Sequence, residues 1–127
     1  MPTAQELRAL VDRYCAAVTS RDAAAIAGLF SEDAVQRDPV SAPANEGREA
    51  IQTFFQAAVD ASTATAFRAL AVHTAGDHVA IDFEVVVSLE AGTMTISGIE
   101  VFTVGADGLI SEVSAYWDEA DVTFGEG

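Results

Sequence analysis

The sequence has 127 residues, of which 20 are aspartate or glutamate and 6 are lysine or arginine, so its formal net charge at pH 7 is −14. This length fits one domain over residues 1–127, and a hydrophobic content of 50% is too high for a disordered chain. The negative charge disfavours nucleic acids, anionic membrane surfaces and anionic small substrates, whereas a neutral apolar ligand meets no such repulsion.

The sequence also limits the compartment and the redox chemistry. Cys15 is the only cysteine, so no internal disulfide can form. Apolar runs such as 85–87 are far too short to cross a bilayer, and the first residues lack the basic and apolar segments of a signal peptide. We therefore expect a cytoplasmic protein without membrane insertion.

The first predicted helix begins close to Met1. Thr3 and Glu6 match a capping box, in which a hydroxyl and a carboxylate satisfy free N–H groups at a helix start. Apolar side chains then recur at helical spacing. They are Leu7, Leu10, Val11, Tyr14 and Val18. Tyr14 therefore lies on the stripe that faces the core, and Cys15 is turned away from it.

A short second helix and an irregular segment are predicted next. Residues 23–30 are rich in alanine and carry apolar side chains at helical spacing, and the polar residues 31–33 end this helix. Within 34–46, Pro39 and Pro43 prevent a continuous helix because proline lacks the N–H group that a helix interior requires.

The second half of the chain predicts antiparallel strands. A third helix begins at Gly47 and carries Phe54 and Phe55 on its apolar face. Alternating apolar residues and glycine-containing turns then predict four strands. They cover 67–74, 79–89, 93–104 and 110–117. The tail, 124–127, is expected to fray. Three N-terminal helices followed by such strands predict an α+β fold, in which helices pack on one face of a curved, mainly antiparallel sheet.

Two polar side chains stand on predicted apolar faces. Tyr14 is either a core tyrosine or a phenol that donates a hydrogen bond into a cavity. Glu100 shares one strand face with Met94, Ile96 and Phe102, because side chains alternate along a strand. A buried carboxyl would stay protonated at neutral pH and could donate a hydrogen bond. The opposite face also carries apolar residues, so an exposed Glu100 is the alternative.

Asp38 completes a possible catalytic set. Asp–Pro pairs are common in plain turns, but a carboxylate near an apolar pocket is also a competent base for carbon acids. Removing a proton next to a carbonyl produces an enolate, whose oxygen needs hydrogen-bond donors in a site that excludes water. One ionised carboxylate, Asp38, and two neutral donors, Tyr14 and Glu100, would be sufficient without a metal or cofactor.

At these residues the chain resembles the ketosteroid isomerases, which belong to the SnoaL-like branch of the NTF2-like superfamily. The resemblance covers nearly the whole chain and depends on six short motifs in the same order and at similar spacing. They are Pro-Thr-Ala-Gln-Glu-Leu at 2–7, Arg13–Tyr14, Asp38–Pro39, Gly-Arg-Glu-Ala-Ile at 47–51, Ile-Glu-Val at 99–101 and Ala-Tyr-Trp at 115–117.

The resemblance implies a fold and a reaction. The fold is an NTF2-like cone, in which a curved sheet and three helices enclose an apolar pocket. The reaction moves the double bond of a 3-oxo-Δ5-steroid to Δ4 through a dienolate, without cofactor or metal. Asp38 matches the family's base and Tyr14 its oxyanion-hole tyrosine, and Glu100 stands where the family usually has aspartate. A homodimer through the sheet is also implied.

The resemblance further implies a set of residues that line the substrate site. Ile81, Phe83 and Trp117 match apolar residues around the steroid and the base, and Phe54 is a further lining candidate. Phe30 and Phe55 are also lining candidates, and they occupy positions where one branch of the family has tyrosines hydrogen-bonded to the catalytic phenol. For all six side chains, plain core packing is the alternative.

Other activities occur on related folds, since a fold does not determine a function. A limonene-type epoxide hydrolase would need an Asp–Arg–Asp set, for which the sequence offers parts but no convincing arrangement. Those parts are Arg37, Arg48, Arg68 and Asp82. A polyketide cyclase and a non-catalytic binding module for steroids or lipids remain as alternatives. His73 and His78 have no partners at metal-ligand spacing.

Overall fold

Three helices pack against a seven-stranded sheet in the computed structural model, which describes residues 1–126. The helices are α1 (Ala4–Thr19), α2 (Ala23–Ala27) and α3 (Arg48–Asp60). The strands are β1 (Phe30–Arg37), β2 (Asn45–Glu46), β3 (Ala64–Ala75), β4 (His78–Leu89), β5 (Gly92–Val104), β6 (Ile110–Tyr116) and β7 (Val122–Gly125). No helix among residues 1–126 is long and apolar enough to cross a membrane.

The sheet is mixed but mostly antiparallel, in agreement with the predicted α+β class. Its strand order is β2-β1-β6-β5-β4-β3, and β7 pairs with β5 beyond the end of β6. Strands β1 and β6 run parallel, and the other pairs are antiparallel. Strands β4 and β5 pair over their whole length, from His78 opposite Thr103 to Leu89 opposite Gly92. This long ribbon carries most of the wall of the site described below.

The capping box predicted for α1 is confirmed. The Thr3 hydroxyl accepts a hydrogen bond from the Glu6 N–H at 3.1 Å, and the Glu6 carboxylate accepts one from the Thr3 N–H at 3.0 Å. The apolar stripe of α1 is buried as predicted, including Tyr14, which is 2% exposed. The start of α1 thus sets the helical register that points Tyr14 at the sheet.

Arg21 joins the first two helices to the end of the third. Its guanidinium donates hydrogen bonds to the carbonyls of Val59 at 2.7 Å and Ser62 at 2.6 Å, at the C-terminal end of α3. These carbonyls carry the partial negative charge of the helix terminus, which a cation stabilises. The contact holds the last turn of α3 in place beside the sheet.

The prediction for residues 30–37 was wrong. The helix expected over 23–30 ends at Ala27, and β1 (Phe30–Arg37) replaces the last residue of that helix, its expected polar end at 31–33 and the start of the segment expected to be irregular. The sequence of β1 is polar and poor in β-branched residues, so local propensity does not favour a strand. It forms because distant partners complete its hydrogen bonds, with β6 on one side and β2 on the other.

The prediction of a frayed tail was also wrong for the described part of it. Val122–Gly125 forms β7, whose residues pair with Thr93–Ile96 of β5. A short 3-10 helix, Glu119–Asp121, returns the chain from β6 to this position. Gly127, the last residue of the predicted tail, lies outside the described residues.

The structure shows which face of β5 is buried. Glu100 is 2% exposed, whereas Ile99 on the other face is 41% exposed. The core fills the space between α1 and the sheet with side chains such as Leu7, Phe102 and Ile110. Next to this packed end, the interior opens into a cavity, and Glu100 faces it.

Candidate active site

An apolar cavity of about 240 Å³ lies between α3 and the inner face of the sheet. Its walls are mostly aliphatic and aromatic side chains from α1, α3, β3, β4 and β5. The polar groups that reach it are the side chains of Tyr14, Asp38, Thr65 and Glu100, together with the indole of Trp117. The structure therefore brings the three predicted catalytic residues into one cavity.

Aromatic rings enclose Tyr14. Four phenylalanine rings meet its ring edge to face, with centroid distances of 5.0 Å to Phe102, 5.4 Å to Phe67 and 6.5 Å to both Phe30 and Phe55. None of these rings can donate or accept a conventional hydrogen bond, so Glu100 is the neighbouring polar side chain available to the Tyr14 hydroxyl. Burial, followed by the nearby carboxyl of Glu100, raises the pKa of Tyr14 well above its ordinary value. Tyr14 is therefore a neutral phenol at physiological pH.

Glu100 is a buried acid. Burial is the main cause that raises the pKa of this carboxyl well above its usual value, and the charge of Asp38 raises it further, while the Tyr14 hydrogen bond acts in the opposite direction. Its Oε1 atom is inaccessible to solvent and has no hydrogen-bond partner among the described residues. A protonated Glu100 can thus offer a hydrogen bond to a molecule in the cavity.

Asp38 follows directly after β1 and lies at the cavity wall. The indole N–H of Trp117 donates a hydrogen bond to its Oδ1 at 2.8 Å. Burial raises the pKa of Asp38, and the Trp117 hydrogen bond partly opposes this rise because it stabilises the carboxylate. A carboxylate with a moderately raised pKa is a stronger base than an exposed aspartate.

Gly98 allows Trp117 to reach Asp38. A Cβ atom at position 98 would lie 2.4 Å from the Tyr116 carbonyl oxygen, 3.0 Å from the Trp117 Cβ and 3.2 Å from Phe83 Cε2. Any larger residue would push the end of β6 away from β5. Neither this role of Gly98 nor the hydrogen bond that Trp117 makes was predicted from the sequence. A glycine within an apolar strand was the available signal, because it often marks a close approach of backbones.

Four of the six predicted lining residues border the cavity, and two do not. Phe54, Phe55, Phe83 and Trp117 border the cavity.

Among residues 1–126, Ile81 and Phe30 do not border the cavity, and their predicted contact with a substrate stays a prediction. Ile81 is 1% exposed and lies opposite Glu100, one inward-facing pair deeper than Phe83, where core side chains cover it. Phe30 is fully buried against the Tyr14 ring. Both side chains support the site from within the core.

No arginine in the described part of the chain borders the cavity, so the Asp–Arg–Asp set of an epoxide hydrolase is not assembled there. Arg37 pairs with Glu112 and Arg68 with Glu84, and Arg48 donates to the Phe30 carbonyl. No group of three potential metal ligands occurs among residues 1–126. Burial raises the pKa of Cys15 to about 11, which keeps its thiol protonated.

The raised pKa of Glu100 predicts a pH-dependent stability. Below its ordinary value of 4.5 the carboxyl is protonated in both states, and its contribution is fully present. As the pH rises towards the native pKa, only the unfolded chain releases the proton, so the contribution is lost at about 1.4 kcal/mol per pH unit. We expect the stability of Glu100→Gln, relative to the unsubstituted protein, to increase between pH 5 and pH 8 in urea unfolding.

Glu90→Gln is the matched control, since Glu90 is exposed in the turn between β4 and β5. Its stability is expected to follow that of the unsubstituted protein at every pH. Parallel pH profiles for Glu100→Gln and Glu90→Gln would mean that Glu100 is ionised in the folded protein.

The close approach at Gly98 predicts that Gly98→Ala displaces Trp117. Trp117 is the only tryptophan, so its fluorescence reports directly on this site. We expect a shifted emission maximum and a loss of about 1–3 kcal/mol in the free energy of unfolding, because the added methyl group meets backbone that cannot yield. At Gly28 an added Cβ would make only ordinary contacts of 3.4 Å or more. Gly28→Ala should change neither quantity, and equal behaviour of the two variants would contradict this account of Gly98.

Comparisons with known proteins agree with this architecture. The curated steroid Delta-isomerase of Nocardioides simplex is 37% identical over 117 residues, which cover 92% of this chain and 94% of that protein. The epoxide hydrolase/cyclase-like enzyme SalBIII, which acts in pyran ring formation in the polyether salinomycin, superposes with a TM-score of 0.88 at 24% identity. This match covers 98% of this chain and all of that one.

Two further solved structures share the fold. A protein of Mycobacterium tuberculosis matches with a TM-score of 0.88 at 20% identity, over 98% of this chain and all of that one. A computationally designed 17-OHP binder matches with a TM-score of 0.85 at 19% identity, over 94% and 98% of the two chains. The predicted NTF2-like fold is thus confirmed. The family model of the SnoaL-like domain matches residues 11–113, and the chain belongs to this family.

Proposed function

We propose that this protein is a steroid Δ-isomerase that converts 3-oxo-Δ5-steroids into their conjugated Δ4 isomers. One observation carries the proposal: a carboxylate and a phenol–carboxyl pair lie in the same apolar cavity, where they match a base and two oxyanion donors. The 37% identity to a steroid Delta-isomerase supports the same assignment. An apolar wall and a net charge of −14 favour a neutral polycyclic substrate.

In the proposed mechanism, Asp38 removes a proton from C4 of the steroid. The electron pair moves into the carbonyl group and gives a dienolate. Asp38 then returns the proton to C6, which leaves the double bond conjugated with the ketone. One proton leaves and one returns, so no co-reactant is needed. A single base can serve both carbons by swinging across one face of the substrate.

Tyr14 and Glu100 stabilise the dienolate oxygen. In the free protein the two groups lie close to each other at the cavity. When the ketone oxygen arrives, the phenol turns to it, and protonated Glu100 donates through the oxygen that has no partner among the described residues. Donors held in place before the charge develops need little reorganisation in the transition state.

The number of charges in the cavity stays constant during the reaction. Asp38 holds one negative charge at the start, and the dienolate oxygen holds it after proton transfer. A second negative charge on Glu100 would oppose this transfer, because like charges repel strongly in an apolar site. The burial that keeps Glu100 protonated is therefore also what lets it assist catalysis.

Two features distinguish this site from the usual family pattern. Glu100 is one methylene longer than the usual aspartate, so the carboxyl reaches the oxyanion position by a different side-chain conformation. Phe30 and Phe55 replace the tyrosines that one branch places behind the catalytic phenol, so Tyr14 is polarised through Glu100 alone. Both differences bear on the rate and leave the roles unchanged.

The proposal includes three properties carried from the sequence. The enzyme works without a cofactor, it is located in the cytoplasm, and it forms a homodimer through the outer face of the sheet. Exposed apolar side chains on that face support the dimer, since Ile99 and Tyr116 pair across β5 and β6 and are 41% and 52% exposed.

An absorbance assay tests the isomerase. The conjugated enone absorbs in the ultraviolet where the unconjugated ketone does not, so 5-androstene-3,17-dione should give a rising signal. Asp38→Asn should lower kcat by about 10²–10⁴-fold because the base is lost. Tyr14→Phe should lower it by about 10²–10³-fold because one oxyanion donor is lost. Both variants should still bind equilenin, a phenolic steroid, as followed by fluorescence.

Other outcomes identify the alternatives. Full activity in Asp38→Asn would remove Asp38 as the base. Binding of equilenin without any isomerisation would favour a non-catalytic steroid-binding module. Turnover of polycyclic polyketides with no enone signal from the steroid would favour a cyclase.

The Trp117 hydrogen bond predicts a shift in the pH profile. Trp117→Phe removes the N–H that stabilises the Asp38 carboxylate, so the pKa of Asp38 should rise. The acidic limb of kcat/KM, which reports the base in the free enzyme, should therefore move to higher pH. Phe83→Leu is the control, because it changes the same wall of the cavity without removing a hydrogen bond to Asp38. A lower activity with an unmoved acidic limb would contradict this role of Trp117.

A further inference from the structure

The C-terminal strand β7 runs beside the end of the cavity that lies away from Asp38. Val122 pairs with Ile96, and Phe124 pairs with Met94. Both β5 residues border the cavity. Strand β7 thus continues the sheet at the place where β6 has ended and where Ile96 and Met94 form the outer wall.

The register determines the side to which these residues point. Directly opposed residues of an antiparallel pair share one face of the sheet. Val122 and Phe124 therefore project to the cavity side, as Ile96 and Met94 do. Thr123 pairs with Thr95 and projects to the other side.

Phe124 is unusual among the large apolar side chains because it is 77% exposed. It stands next to the cavity without forming part of its present wall. An exposed aromatic ring beside an apolar opening is a typical contact for a ligand, since binding removes both surfaces from water.

The length of β5 places Phe124 relative to the proposed chemistry. Ile96 lies four residues from Glu100, about 13 Å along the strand, and Met94 lies six residues away, about 20 Å. The first distance is comparable with the length of a tetracyclic nucleus whose ketone lies at Glu100. The second distance exceeds the length of the nucleus, so the Phe124 side chain meets a substituent on the last ring by leaning along β7 towards Ile96.

We propose that Phe124 contacts the substituent at C17 of the steroid and makes the enzyme selective for substrates that carry a carbon side chain there. The proposal rests on the isomerase function, which sets the ketone end of the ligand at Tyr14 and Glu100. Phe124 is a specificity residue in this scheme and takes no part in the proton transfer.

The experiment compares two steroid substrates that differ at C17. The substrates are 5-pregnene-3,20-dione, which has a two-carbon side chain, and 5-androstene-3,17-dione, which has none. Phe124→Ala should raise KM for the pregnene substrate about five- to tenfold with kcat unchanged, and should alter KM for the androstene substrate less than twofold. Phe124→Leu should recover part of the loss. Thr123→Ala, on the opposite face of β7, is the matched control and should change neither substrate.

A binding measurement makes this test independent of catalysis. The two products, progesterone and 4-androstene-3,17-dione, are titrated while the fluorescence of Trp117 is followed, and Phe124→Ala should weaken only progesterone. One outcome is that Phe124→Ala weakens only progesterone while the unsubstituted protein shows no isomerase activity. That result would overturn the isomerase function and leave the Phe124 contact supported. An equal loss for both steroids, no loss, or no binding by the unsubstituted protein would overturn the contact. A change of oligomeric state in Phe124→Ala, measured by analytical ultracentrifugation, would overturn it in favour of a contact between copies of the chain.

Discussion

The site depends on one electrostatic constraint, which is that its apolar cavity favours a single negative charge. Burial raises the pKa of both carboxyls, and the charge of Asp38 raises that of Glu100 further. The indole N–H of Trp117 favours the carboxylate at Asp38. The environment therefore separates two chemically similar groups into an ionised one and a protonated one. Such a separation is the general way in which one site holds a base and an acid at the same pH, and the ketosteroid isomerases are a known example of it.

The fold supplies this environment through long-range packing. Helix α1 brings Tyr14 against the sheet, and the β4–β5 ribbon brings Glu100 and Phe83 to the same side. Strand β1 positions Asp38 through a parallel pairing with β6, the strand that also leads to Trp117. The absence of a side chain at Gly98 lets these last elements come close enough for the 2.8 Å hydrogen bond. The proposed base, the two proposed donors and the N–H that stabilises the Asp38 carboxylate thus come from elements far apart in the chain.

The two ends of the cavity differ in their lining. Near Glu100 it is enclosed by aromatic rings and holds the polar groups. Towards Met94 it is aliphatic, and β7 extends the sheet beside it. The last turn of α3, held by Arg21, forms the facing wall. In the proposed function, chemistry at one end and selection of ligand length at the other can therefore vary separately, because different residues and different elements carry them.

Much of this protein was readable from the sequence alone. Capping and helical spacing predicted α1 and the inward position of Tyr14, alternation predicted the long strands, and the resemblance to a family assigned Asp38, Tyr14 and Glu100 their proposed roles. These features depend on local pattern or on motif spacing. The tertiary structure alone decided the inner face of β5, the strands β1 and β7, the core positions of Ile81 and Phe30, and the contact between Trp117 and Asp38. Each of these depends on partners distant in sequence, whose pairing and burial no local pattern encodes.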